Sequence, residues 1–280
     1  MFDFKSDQMD IRKVAESGQC FRLRRLDEAR WRLVAGNRLL LITERGAGRY
    51  RLDCDARIFD SYWRSYFDLD QNYGLYTAAV PRRDHFLNAA VCYGRGITIL
   101  RQDSWEMLIT FLISQRKSIP AIKTAVERLC TAFGEPIAGT GEFAFPQPAV
   151  LARQTPETLA GCSLGYRTPY VLAAARAVDS GALDLETLRS ADTEMLRRSL
   201  LLQSGVGDKV ANCVMLFGFH RLEAFPRDVW MNRVIDAEYG GKFPLRRYRG
   251  FEGVIQQYMF YYARSLEYAA VKQKDKRRLR

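Results

Sequence analysis

The sequence predicts an α+β chain, in which a small antiparallel sheet is followed by an all-helical region. Three observations carry that expectation. Residues 20–59 alternate apolar and polar side chains between short turns. From about residue 103 the apolar period lengthens to that of a helix. Two of the helical runs, 193–202 and 209–218, are joined by a turn that contains Gly205-Val206-Gly207.

Taken in order, CFRLRRL, ARWRLVAGNRLLLITERG and GRYRLDCDARIF read as strands separated by Asp-Glu, Gly-Asn and Gly-Ala-Gly turns. Residues 58–92 read as helix or loop, with an aromatic-rich stretch at Tyr62, Trp63, Tyr66 and Phe67. Helical spacing then covers Ser104–Ser114, Ile119–Phe133, Pro156–Leu164, Pro169–Ser180, Asp184–Leu188 and Thr193–Leu202. Asp103, Thr155 and Asp192 suit N-caps, and Gly134 and Gly181 suit stops. Further helices are expected at Lys209–Gly218, Val229–Tyr239 and Gly253–Leu266. The corresponding domains are an N-terminal sheet domain at 1–98, a helical domain at 99–271 and a basic tail at 272–280.

The chain has 280 residues, 48% of them hydrophobic and 27% charged, which suits a sizeable buried core and argues against disorder. Its formal net charge is +11. The tail holds six cations against Asp275 alone, yet without it the charge is still +6. A polyanion is the simplest partner for such a surface, although a basic face that only aids solubility has the same composition. The six cysteines never stand closer than 32 residues and only two histidines are present. Clustered ligands for zinc or an iron–sulfur centre are therefore not expected. The first residues lack an apolar core and no apolar run nears the ~18 residues of a membrane span, so a soluble, cytoplasmic protein is expected.

The segment SLLLQSGVGDKVANCVMLFGF is the most informative. Two glycines around one small apolar residue permit a tight turn with positive φ. Amides at the start of the following helix then face outward and can hold a phosphate oxygen. That is the pattern of a helix-hairpin-helix, which grips the DNA backbone without reading bases. Lys209 opens the second helix, where the macrodipole disfavours an ammonium and an apolar setting would disfavour it further. A free amine there can attack a sugar C1′, form a Schiff base and support β-elimination. Nineteen residues later Asp228 precedes the helix VWMNRVIDAEY as a natural N-cap. Each residue alone reads more simply, Lys209 as a surface charge and Asp228 as a cap.

GVGDKVANC followed by FPRDVW resembles the hairpin and aspartate signature of the DNA glycosylases of the helix-hairpin-helix superfamily, and specifically its 8-oxoguanine branch, bacterial type. The resemblance spans nearly the whole chain. ESGQCFRLR is similar to that branch's SGQ-x-FR segment, RQDSWEMLITFLIS and VERLCTAFG to its first long helices, SLGYRTPYV to its LGYRA-type segment, and EGVIQQYMF to its final active-site helix. The missing cysteine cluster separates it from the iron–sulfur branches.

The resemblance implies an α+β fold and a role for each matching residue. Lys209 would be the nucleophile, and Asp228 would cap its helix and stabilise positive charge developing on the sugar. Gly205, Gly207 and Val210 would hold DNA phosphate through backbone amides. Tyr166 would wedge beside the flipped nucleotide and Arg167 would reach the opposite-strand base. The Gly18 carbonyl would accept the N7–H that 8-oxoguanine has and guanine lacks. Cys213 and Phe260 would sandwich the extruded purine, and Gln256 would read its Watson–Crick edge. The partner implied is double-stranded DNA with a damaged purine, met by a monomer that needs no cofactor or metal.

Three features depart from the animal-type pattern. Gln115-Arg116-Lys117-Ser118 replaces an asparagine run at the estranged-base position, with Arg116 and Lys117 still able to contact backbone or base. Trp230 replaces a histidine, just beyond Arg227 and Asp228. Gln203-Ser204 replaces Leu-Pro before the hairpin. The first departure keeps open a glycosylase for alkylated purines without lyase activity. A DNA-binding module that uses the hairpin only to hold phosphate is the alternative outside enzymes.

Overall fold

The computed structural model describes residues 1–46 and 48–278, with side chains described as far as 265. The side chains of the expected basic tail, 272–280, therefore lie outside the described residues.

The strands are β1 (Phe2–Lys5), β2 (Leu23–Arg25), β3 (Arg30–Ala35), β4 (Arg38–Glu44) and β5 (Arg49–Leu52). They form one antiparallel sheet in the order β1-β5-β4-β3-β2. Gly36, at φ +57°, turns β3 back onto β4 so that Leu33 faces Leu40 and Trp31 faces Ile42. This register puts all four side chains in the sheet's core. β1 was not among the expected strands. Its four residues offer only Phe2 and Phe4 as a pattern, and it is held by pairing with β5 and by the Phe59 ring against both phenylalanines.

Helices of six residues or more are α1 (Ile11–Glu16), α2 (Tyr73–Ala78), α3 (His85–Gly94), α4 (Ser104–Ser114), α5 (Ile119–Phe133), α6 (Thr168–Asp179), α7 (Leu185–Ser190), α8 (Thr193–Leu201), α9 (Asp208–Gly218), α10 (Val229–Tyr239) and α11 (Glu252–Arg278). Asp103 and Asp192 cap α4 and α8 as expected, and Gly134 ends α5. Every residue of α4 is buried, which makes it the axis of the helical body. Residues 156–164 are not an α-helix. Thr155 and Thr158 exchange side-chain and backbone hydrogen bonds, Ser163 adopts φ +58°, and only Ala160–Cys162 forms a short 3₁₀ turn. These local bonds compete with the helical ladder, and periodicity alone does not register them.

Two apolar cores result. One joins the sheet to α1 and to the aromatic side chains Trp63, Tyr66 and Phe67. The other fills the helical body and takes in Tyr73, Leu87 and Ala90, although these precede the expected junction at 98–99. Charged side chains cross between the regions. Arg32 of β3 pairs with Glu127 of α5 and with Glu142, and Lys123 of α5 donates to the Ala15 and Leu23 carbonyls. These ties set the α1 end of the first region against the helical body, where the site lies.

Candidate active site

The hairpin predicted from Gly205-Val206-Gly207 is formed by α8, the turn at 202–207 and α9. Val206 is buried and anchors the turn, and Gly205 has φ +80°. A Cβ on Gly205 would stand 2.4 Å from the Tyr170 ring, so the close approach of α6 requires a bare backbone. The Gly205 carbonyl accepts from the Gln115 side chain at 3.1 Å, which ties the turn to the end of α4. Gly207 occupies the N-cap of α9 and supplies no side-chain acceptor to the first turn. The orphan amides there are thus left for an external anion. Val210 itself is buried, so any contact it makes would be through its backbone.

Lys209 is half-buried on the first turn of α9. Its Nζ lies 3.4 Å from Ser114 Oγ and 5.3 Å from the Phe111 ring centre, both on α4. Asp228 caps α10 by accepting from the Met231 amide at 2.9 Å. Lys209 and Asp228 line one recess, together with Gly18, Phe111, Cys213, Phe217, Pro226, Gln256, Gln257 and Phe260. The recess has about 50 Å³ of free volume and opens beside a groove of about 780 Å³ that adds Arg116, Lys117, Trp230 and Arg264.

The walls of the recess bring together a glycine, a thiol, an aromatic ring and a buried amide. Gly18, at φ +79°, stands against Phe260, since a Cβ there would lie 3.3 Å from the ring edge and equally close to Ile119. Cys213 is buried, and that burial pushes its thiol up while the Lys209 ammonium beside it acts the other way. Gln256 is buried with its amide oxygen unpaired among the described residues. An orphaned buried acceptor costs about 1–3 kcal/mol, and a ligand donor would relieve it.

The remaining expected contacts divide. Tyr166 is 52% exposed, as a wedge requires. Arg116 is exposed at φ +51°. Lys117 donates to the Ser163 carbonyl at 2.8 Å, and burial together with the nearby Arg167 holds its ammonium below the ordinary lysine range. Arg167 is not presented to an opposite strand in this structure. It is buried, stacks on Tyr166 at 4.2 Å and donates to the Gln115 and Leu164 carbonyls. Two backbone acceptors hold it inward, and sequence gives no sign of the second, the Gln115 carbonyl 52 residues earlier. Phe111, Gln257 and Arg264 are site residues that sequence reasoning did not single out. For Arg264 a signal existed, because it stands four positions after Phe260 on the same helical face.

Residues 1–108 match the family model for the 8-oxoguanine DNA glycosylase N-terminal domain. The structure of MBOgg1 in complex with a low-affinity DNA ligand is similar at 34% identity and a TM-score of 0.88, covering 95% of this chain and 96% of that one. The Clostridium acetobutylicum 8-oxoguanine glycosylase/lyase, bound to double-stranded DNA with cytosine opposite 8-oxoguanine, gives 28% identity and 0.86 over 95% and 99% of the two chains. A probable N-glycosylase/DNA lyase of Methanothermobacter thermautotrophicus is 28% identical over 65% of this chain and 68% of its own length. The α+β class is thereby borne out, and the chain belongs to the 8-oxoguanine DNA glycosylase branch of the helix-hairpin-helix superfamily.

Proposed function

We propose that this chain excises 8-oxoguanine from duplex DNA and then cleaves the resulting abasic site. The observation that carries the reading is the convergence of Lys209 and Asp228 on one recess walled by Gly18, Cys213, Gln256 and Phe260. Backbone amides of the uncapped α9 turn, about Gly205, Gly207 and Val210, hold phosphate, and Tyr166 fills the gap left by the extruded nucleotide. Within the recess the purine lies between Cys213 Sγ and the Phe260 ring. The Gly18 carbonyl accepts the lesion's N7–H, and Gln256 meets its Watson–Crick edge.

Lys209 Nζ, as the free amine, forms a bond to C1′ while the glycosidic bond breaks and its electron pair leaves with the base. Asp228, held at its helix cap, offsets positive charge on the sugar as that bond lengthens. Opening of the sugar ring gives the Schiff base, and loss of a C2′ proton expels the 3′ phosphate by β-elimination. The working unit is taken to be a monomer in the cytoplasm. Six unpaired cysteines, four of them buried, support a reducing compartment.

The test is base release from duplexes carrying 8-oxoguanine or 3-methyladenine, each against all four opposite bases. Release of 8-oxoguanine with strand cleavage is expected. Release of 3-methyladenine alone would replace this reading with the alkylpurine one, and release of neither would leave a DNA-binding module. Arg116 and Lys117, beside the groove, are expected to set the opposite-base profile.

A further inference from the structure

The segment before Gly18 is held with unusual completeness. The Ala15 carbonyl accepts from Lys123 Nζ at 3.3 Å, the Glu16 carbonyl from Arg264 Nη1 at 3.0 Å, and the Ser17 carbonyl from Gln257 Nε2 at 3.2 Å. The Gln19 carbonyl accepts from Gln102 Nε2 at 2.9 Å. Among the described residues the Gly18 carbonyl alone in this stretch accepts no hydrogen bond. Peptide planes are rigid, so fixing the carbonyls on both sides fixes the aim of the one between. A neighbouring carbonyl free to rotate would let that aim drift.

Arg264 holds two parts of this arrangement at once. Its guanidinium lies 5.3 Å from the Phe260 ring centre while it donates to the Glu16 carbonyl. Gln257, Tyr261 and Arg264 follow at helical spacing on α11, and Tyr261 adds a hydrogen bond to the Glu16 carboxylate at 3.3 Å. The Phe260 ring in turn stands against Gly18.

We infer that Arg264 is a specificity-positioning residue, which fixes the stacking ring of Phe260 and the free carbonyl of Gly18 in one geometry through its contacts with Phe260 and Glu16. The inference rests on the proposed function, in which that carbonyl separates 8-oxoguanine from guanine. Arg264 touches neither base nor sugar in this role and acts through the two groups that do.

The test measures dissociation constants in a Lys209→Gln background, where no base is released. Duplexes carry 8-oxoguanine, guanine or an abasic site at one position. Arg264→Ala is expected to lower the preference for 8-oxoguanine over guanine by about tenfold, the worth of one misaligned hydrogen bond and its stacking partner. Affinity for the abasic duplex should change by less than about twofold, and Arg264→Lys should restore part of the preference. Arg264→Met, which keeps the aliphatic stem beside Phe260 and removes the donor to the Glu16 carbonyl, should lower the preference in the same direction and serves if Arg264→Ala does not fold. An unchanged preference in these variants overturns the inference. So does an equal loss on all three duplexes, which would make Arg264 a phosphate contact. A Lys209→Gln protein with no preference for 8-oxoguanine would instead overturn the proposed function, and the inference with it.

Discussion

Asp228 has two separable duties, and substitution can separate them. As a cap it needs only an oxygen within reach of the Met231 amide, now at 2.9 Å. As a catalytic group it needs a negative charge facing the recess, where that charge raises the Cys213 thiol pKa, though less than burial does. Asparagine keeps the first and removes the second, whereas alanine removes both. Asp228→Asn should therefore unfold within about 0.5 kcal/mol of the wild type, and Asp228→Ala about 1 kcal/mol below it. Loss of one preorganised electrostatic group at a developing charge is typically worth ~10²–10³ in rate. Both variants should excise 8-oxoguanine slower by that order in single-turnover assays, while binding abasic DNA normally. Urea denaturation followed by tryptophan fluorescence gives the stabilities. An Asp228→Asn enzyme that excises at the wild-type rate would show that Asp228 is only a cap.

Gly205→Ala should fail structurally as well as functionally. The left-handed backbone costs about 1–2 kcal/mol for alanine and the new methyl meets the Tyr170 ring, so urea denaturation should show a loss of about 2–4 kcal/mol, and anisotropy a weaker grip on undamaged duplex. Glu106, buried on α4, has its carboxyl pushed up to about 7, chiefly by desolvation, with Arg22 opposing and Asp103 and Glu127 adding to the rise. Because the folded value exceeds the unfolded one, the contribution is complete below about 4.5 and is lost as pH rises through about 7. Stability should fall by about 3 kcal/mol over that window and Glu106→Gln should flatten the fall, as urea midpoints at pH 5 and 8 would reveal; an equal slope in the variant would sink the assignment.

Much of the site was legible because its chemistry sits in short contiguous stretches. Gly205, Gly207 and Lys209 share one turn, and Asp228 must stand where α10 begins. The all-buried α4 could be placed from its apolar run and Asp103, and β3 and β4 from alternation around Gly36-Asn37. What escaped depends on contacts far apart in sequence. β1 is a strand because β5 offers it an edge, and Arg167 turns inward because Gln115, 52 residues earlier, presents its carbonyl. Residues 156–164 carry apolar residues at helical spacing, yet paired threonine bonds spend their backbone groups elsewhere. The spacing of Arg264 from Phe260 was legible, but its hold on the Glu16 carbonyl, 248 residues earlier, was not.

The central claim is that Lys209 forms the covalent bond to the sugar. Borohydride reduction during turnover of an 8-oxoguanine duplex tests it, because only a Schiff base is converted into a stable protein–DNA adduct. The wild type should yield that adduct, with the cross-link mapped to Lys209 by mass spectrometry. Lys209→Gln should yield none and cut no strand while still binding the duplex. A Lys209→Gln protein that is trapped at the wild-type level would contradict the account.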